Sequence, residues 1–171
     1  MIKKFELLNK SVEKEDVKAM EEEAGRIYTS LITNELANLN LSEYEYSPEQ
    51  AVEELGLDEE LVHELVADYV SQIIRSLLQF ESKLKVLQNS QDRSHPLDYT
   101  PFRELAHKNL GVARNLRIKN AEILLYELMT KDDLDHLLSC LEALEVSAIK
   151  LNTKHAYNTL KIIEIKDSFK N

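Results

Sequence analysis

The chain has 171 residues, 43% of them hydrophobic, with three glycines, three prolines and no tryptophan; that is one domain's worth of core, too poor in turn residues to be anything but mostly helical. The formal net charge is −10, from 31 acidic and 21 basic residues, a sign that repels phosphate backbones and anionic lipids and so excludes nucleic acid and membrane surfaces as expected partners. No apolar run approaches the ~18 residues of a spanning helix; none follows the basic opening Met1-Ile2-Lys3-Lys4 either, so no signal peptide is expected and the expected location is cytoplasmic.

Residues 1–46 read as a helical N-terminal extension. Glu13 to Glu23 is a dense charge run suited to a solvated helix face, and Ile27, Leu31, Leu36 and Leu39 are spaced to make an apolar one. Such a face predicts packing against the rest of the chain or against a second copy, which makes the extension a candidate homodimer interface. Ser47-Pro48-Glu49-Gln50 then combines a capping serine, proline at the first helical position and Gln three residues after the cap; a helix starts there. It is short, because Gly56 ends it and Asp58 can cap the next.

From Asp58 to about Leu87 apolar residues recur at helical spacing, as Leu61, Leu65, Tyr69, Ile73 and Leu77. Gln88 to Asp98 is polar, contains Pro96 and reads as a loop. Thr100-Pro101 restarts a helix running to about Leu116, and another spans about Lys119 to Met129. Thr130-Lys131-Asp132-Asp133 is a turn with capping-box spacing, opening a helix that reaches about Leu151. Within it, Cys140 is the chain's one cysteine; it can form no internal disulfide and reads as a small buried apolar residue. Residues 152–171 form a C-terminal extension whose Leu160-Lys161-Ile162-Ile163-Glu164-Ile165 fits helix or strand equally. The expected architecture is all-α: over 47–151, a short leading helix and an antiparallel four-helix bundle. Its core is expected to include Leu61, Leu65, Tyr69, Ile73, Leu77, Phe102, Leu105, Val112, Leu116, Leu124, Leu137, Leu141 and Leu144.

On a wheel at about 100° per residue, Phe102, Leu105, Ala106, Val112, Ala113 and Leu116 form one stripe, and His107 lies roughly 160° from its centre. It should face solvent. Gly111 falls one turn further along the same outer side, where a mid-helix glycine costs about 1 kcal/mol relative to alanine and leaves room for another protein to approach the imidazole. An exposed imidazole, with its ordinary pKa near 6.5, is a nucleophile at neutral pH. Once phosphorylated it carries negative charge that Arg or Lys can offset; Arg103, Arg114 and Lys108 are the candidates, Lys108 being off to one side. Taken by itself, the pattern is more often that of an incidental surface histidine.

The string Ala106-His107-Lys108-Asn109-Leu110-Gly111-Val112-Ala113-Arg114-Asn115-Leu116 resembles the signature of the histidine-phosphotransfer (Hpt) family. In that family the phosphoaccepting His is followed three residues later by Lys and four later by Gly. The likeness extends to Tyr46-Ser47-Pro48 through Asp58, to Val66-Ala67-Asp68-Tyr69 and to Ala121 through Leu128, about 105 residues in all. It implies an Hpt-like bundle in two-component signal transduction, with His107 carrying phosphate between receiver-domain aspartates in a phosphorelay. Receivers, and a sensor histidine kinase, would be the partners, and any metal would belong to the receiver. The chain departs from the family at Leu110, where Lys is expected, and at Asn109, where an apolar residue is expected. On the wheel Asn109 lies on the core stripe and Leu110 on its exposed flank, as though the two side-chain types had been exchanged. Leu110 and Gly111 are accordingly the expected docking residues. A degenerate bundle that binds receivers or a kinase without carrying phosphate is the alternative, and a purely structural helical protein the third.

Other chemistry finds less support. Glu60-x-x-His63 and Glu104-x-x-His107 have the spacing of carboxylate-bridged di-metal sites, but such ligands face the bundle core and these fall outside the apolar stripes. No metal or cofactor is expected. His95, His136 and His155 have no convincing sequence partners and read as surface or capping residues. Neither a glycine-rich phosphate loop nor a G-x-S-x-G elbow occurs, which argues against a free-standing kinase or hydrolase.

Overall fold

A computed structural model describes residues 17–43, 46–91 and 96–168, and among these there is helix and no strand. Seven α-helices follow in order: α1 Val17–Thr33, α2 Glu49–Leu55, α3 Glu59–Asn89, α4 Thr100–Asn115, α5 Lys119–Thr130, α6 Leu134–Leu151 and α7 Thr153–Ser168, with a 3-10 turn at Ala37–Leu39.

Local chemistry explains the boundaries. Gly56 closes α2 in the left-handed region at φ 68°, its N–H donating to the Val52 carbonyl, where a side chain would be strained. Asp58 accepts from the Leu61 N–H at 2.8 Å and caps α3. The 31 residues of α3 make a rod of about 46 Å at 1.5 Å per residue. Asp98 accepts from the Thr100 N–H at 3.0 Å, and Pro101 stands in the first turn of α4. The α4–α5 corner is a Schellman turn: the Ile118 N–H donates to the Ala113 carbonyl at 3.0 Å, and Arg117 takes the left-handed position at φ 60° that glycine usually fills. Hydrogen bonds from its guanidinium, one of them to the Asn115 carbonyl at 3.2 Å, hold it there. Its Nε donates to Glu54 Oε2 at 2.5 Å and its Nη1 to the Arg114 carbonyl at 2.7 Å. Asp133 caps α6 by accepting from the Asp135 and His136 N–H groups.

Packing follows the buried stripes. Helices α4 and α5 pack most extensively, α5 packs on α6, α6 on α3, and α3 on α4. The ends of the chain join this core. Met20, Ala24, Tyr28 and Leu31 of α1 are buried and α1 lies on α6 and α7, so its apolar face is covered within one chain. The ambiguous C-terminal segment is helix, with Ala156, Tyr157 and Leu160 buried, and α7 packs on α3, α6 and α1. Both extensions therefore share one hydrophobic cluster with residues 47–151. Residues 1–16, part of the charge run among them, lie outside the described residues.

Three expected core positions differ. Leu61 is 38% exposed, and Leu65 and Val112 are only partly buried. Leu61 sits in the first turn of α3, against which the short α2 packs, while Val62 and Val66 turn inward. The remaining expected core residues are buried.

Candidate functional site

Helix α4 separates cleanly into two faces. Phe102, Leu105, Ala106, Asn109, Leu110 and Ala113 are buried; His107, Lys108, Gly111 and Arg114 are exposed. His107 stands on the outer face as its wheel position predicts, and makes no hydrogen bond or ion pair among the described residues. A Cβ built on Gly111 would meet nothing within 4 Å. The fold's own packing does not require glycine there, yet a helix-interior glycine costs about 1 kcal/mol relative to alanine.

Leu110 corrects an expectation. It is 2% exposed, so it cannot be a docking residue, and no exchange with Asn109 has occurred: both are buried. The wheel's apolar stripe underestimates the buried arc because α4 packs against two helices, α3 and α5, and a helix with two neighbours buries a wider arc than one stripe. Asn109, 0% exposed, satisfies its amide inside the core. Its Oδ1 accepts from Gln72 Nε2 at 3.0 Å, and its Nδ2 donates to Ser76 Oγ at 3.2 Å and to the Leu105 carbonyl at 2.9 Å. This is a polar tie between α3 and α4.

The three candidate cations differ in where they are held. Arg103 is half-buried; its guanidinium lies 5.0 Å over the Tyr99 ring, and its Nε is buried without a hydrogen-bond partner. Tyr99 is anchored in turn by donating its hydroxyl to the Asp132 carbonyl at 2.7 Å, and burial, then the neighbouring Asp132 charge, pushes its pKa up. Arg114 is 62% exposed, its Nε 3.8 Å from Glu122 Oε1 on α5. Lys108 is exposed, one residue and so about 100° around the helix from His107. With Glu104 as the one acidic residue of α4 against these three cations, the helix is a positive strip on a strongly negative chain.

Two of the other histidines, His136 and His155, differ from their reading as surface or capping residues. His136 is not a simple surface or capping residue: its Nε2 lies 3.0 Å from Glu127 Oε1, the pair largely buried between α5 and α6. Cys140 is 3.6 Å from the same nitrogen, and burial pushes its thiol up to about 12, which makes it unreactive at neutral pH. His155 Nε2 lies 2.6 Å from Ser71 Oγ, which lies 2.7 Å from Thr159 Oγ1, fastening α7 to α3. Glu127, Ser71 and Thr159 carry no local signal for these contacts, since all three links cross between helices. His95 lies outside the described residues. His63 is exposed, 3.5 Å from Glu59, and no cluster of three metal-ligating side chains occurs among the described residues. A cavity of about 300 Å³ between α1, α5 and α6, lined by Tyr28, Asn120, Ser147 and Lys150 among others, includes no residue of α4.

No protein-family model matches the chain, and comparison with curated proteins and with solved structures gave no match. No helix among the described residues is long and apolar enough to cross a membrane.

Proposed function

We propose that α3 to α6 are an antiparallel four-helix bundle of the histidine-phosphotransfer kind, with α2 as its leading helix, and that His107 carries a phosphoryl group between receiver-domain aspartates in a cytoplasmic two-component phosphorelay. The reading is carried by one observation: an exposed imidazole without a partner, mid-helix, one turn before a glycine that internal packing does not require. In the transfer, a ring nitrogen of His107 attacks the phosphorus of a receiver's aspartyl phosphate, the N–P bond forms and the carboxylate leaves. The reverse step loads a second receiver. The chain needs no nucleotide of its own, in keeping with the lack of a phosphate-binding loop.

A second reading is favoured by Leu110. Its burial leaves no cation three residues after His107, which suits an adaptor that binds receivers or a kinase without carrying phosphate. Incubation with phosphorylated receivers separates the two. A relay gains acid-labile phosphate and loses all uptake on His107→Gln; an adaptor binds the receiver and gains none. Uptake that survives His107→Gln would exclude both.

A further inference from the structure

We propose that Arg114 is the side chain that holds the phosphoryl group on His107, reaching it across Gly111 and giving up Glu122 to do so; this rests on His107 being the phosphoacceptor. A phosphorylated imidazole gains negative charge, and a cation on the same helix face would stabilise it. Leu110 is neutral and buried. Lys108 points about 100° away. Helical side chains tilt toward the N-terminus, and Arg103 follows that rule: its guanidinium rests on Tyr99, a turn further from His107 than its own Cα.

Arg114 approaches from the other end, and there the same tilt helps. Seven residues at 100° place it within about 20° of His107 around the helix and about 10.5 Å along it, so its side chain leans back over the turn that holds Leu110 and Gly111. Leu110 faces the core, which leaves Gly111 as the outer ground of that turn. Any side chain at 111 would stand between Arg114 and the imidazole; with glycine the space is open. The present hold on Arg114 is loose. At 3.8 Å from Glu122 the contact is an ion pair without a proper hydrogen bond, with Arg114 62% exposed. A phosphoryl group, with more charge and three acceptor oxygens, competes well against one carboxylate. Glu122 is then the resting partner, and the glycine has a reason inside the chain.

The test loads the full chain with phosphoramidate, a small phosphoryl donor. The lone pair of a ring nitrogen forms the new N–P bond, the reagent's P–N bond breaks and ammonia leaves. The readout is the lifetime of phosphohistidine at neutral pH, followed by intact mass. Arg114→Ala should shorten it by about three- to fivefold, the size of an exposed charge pair, and Arg114→Lys should recover part of the loss. Glu122→Gln should lengthen it, because the guanidinium is released. A merely structural ion pair would move both partners' variants in the same direction, so opposite signs are the decisive result. Equal lifetimes for wild type and Arg114→Ala, a loss on Arg103→Ala or Lys108→Ala instead, or no label at His107 would each overturn the proposal. Phosphorylated receivers form a separate arm. Uptake from them without an Arg114 effect would keep the relay and sink this inference; an Arg114 effect without uptake would do the reverse.

Discussion

The two faces of α4 use the same helix for opposite purposes. On the inner face every group is committed: Phe102 meets Phe80 edge-on with ring centroids 5.1 Å apart, and Asn109 has its amide tied to Ser76, Gln72 and the Leu105 carbonyl. On the outer face His107 and Gly111 are committed to nothing within the described residues, and Arg114 only loosely to Glu122. His136 makes the same contrast within one residue type. Its ring nitrogen is engaged by buried Glu127, and a histidine so held links two helices rather than offering a nucleophile to a partner. Exposure alone does not mark a site; exposure without internal commitment is the useful sign.

The contrast breaks most visibly under substitution of the inner face. Phe102→Ala should cost about 3–5 kcal/mol. Leu110→Lys should cost more still, since it forces an ammonium into a position where leucine is 2% exposed. Denaturant unfolding of the two variants checks this. A Leu110→Lys protein as stable as wild type would mean that the boundary between the faces is misplaced. A lysine cannot simply be placed at this position.

Asn109→Ala should cost about 1–3 kcal/mol, because the hydroxyl of buried Ser76 and the amide of Gln72 lose their partner. A neutral result by thermal melt would show that water or rotamer changes replace the amide at no cost.

The outer face should respond with the opposite sign. Gly111→Ala should stabilise the chain by up to about 1 kcal/mol, since a Cβ there meets nothing and the helix gains propensity, while phosphate uptake from receivers falls. His107→Gln should move stability by less than about 0.5 kcal/mol. A Gly111→Ala variant that is more stable and equally active would leave the glycine unexplained.

The smallest effect sits where α4 ends. The hydrogen bond from Gln50, then that from Arg117, holds the exposed Glu54 carboxyl below its ordinary pKa. A depressed folded-state value means that the contribution is present above the ordinary carboxylate range and is lost as pH falls through the folded value. Carboxyl titration by NMR should place the Glu54 midpoint below that of a free glutamate, and Arg117→Ala should raise it. An unchanged midpoint would show that the Arg117 guanidinium does not hold the Glu54 carboxylate.

Much of this molecule was determined locally. Helix starts at Asp58 and Thr100-Pro101, the stop at Gly56, and the outward direction of His107 follow from caps, glycine geometry and a period of 3.6 residues, all of which act within a few positions of the chain. The capping-box spacing at Thr130 does not mark a helix start, since Thr130 ends α5 and Asp133 caps α6. Tertiary structure decided what a one-helix wheel cannot represent: how many neighbours a helix has. Leu110 is buried in a helix that packs on both α3 and α5, whereas Leu61, in the first turn of α3, stays exposed. His136 and His155 acquired partners from other helices. The Leu160–Ile165 segment is helix because α3, α6 and α1 offered a groove for Ala156, Tyr157 and Leu160, whereas its own pattern allowed either state. Those outcomes depend on surfaces assembled from residues far apart in sequence, and apolar burial, being non-directional, leaves no local mark of which neighbour will supply it.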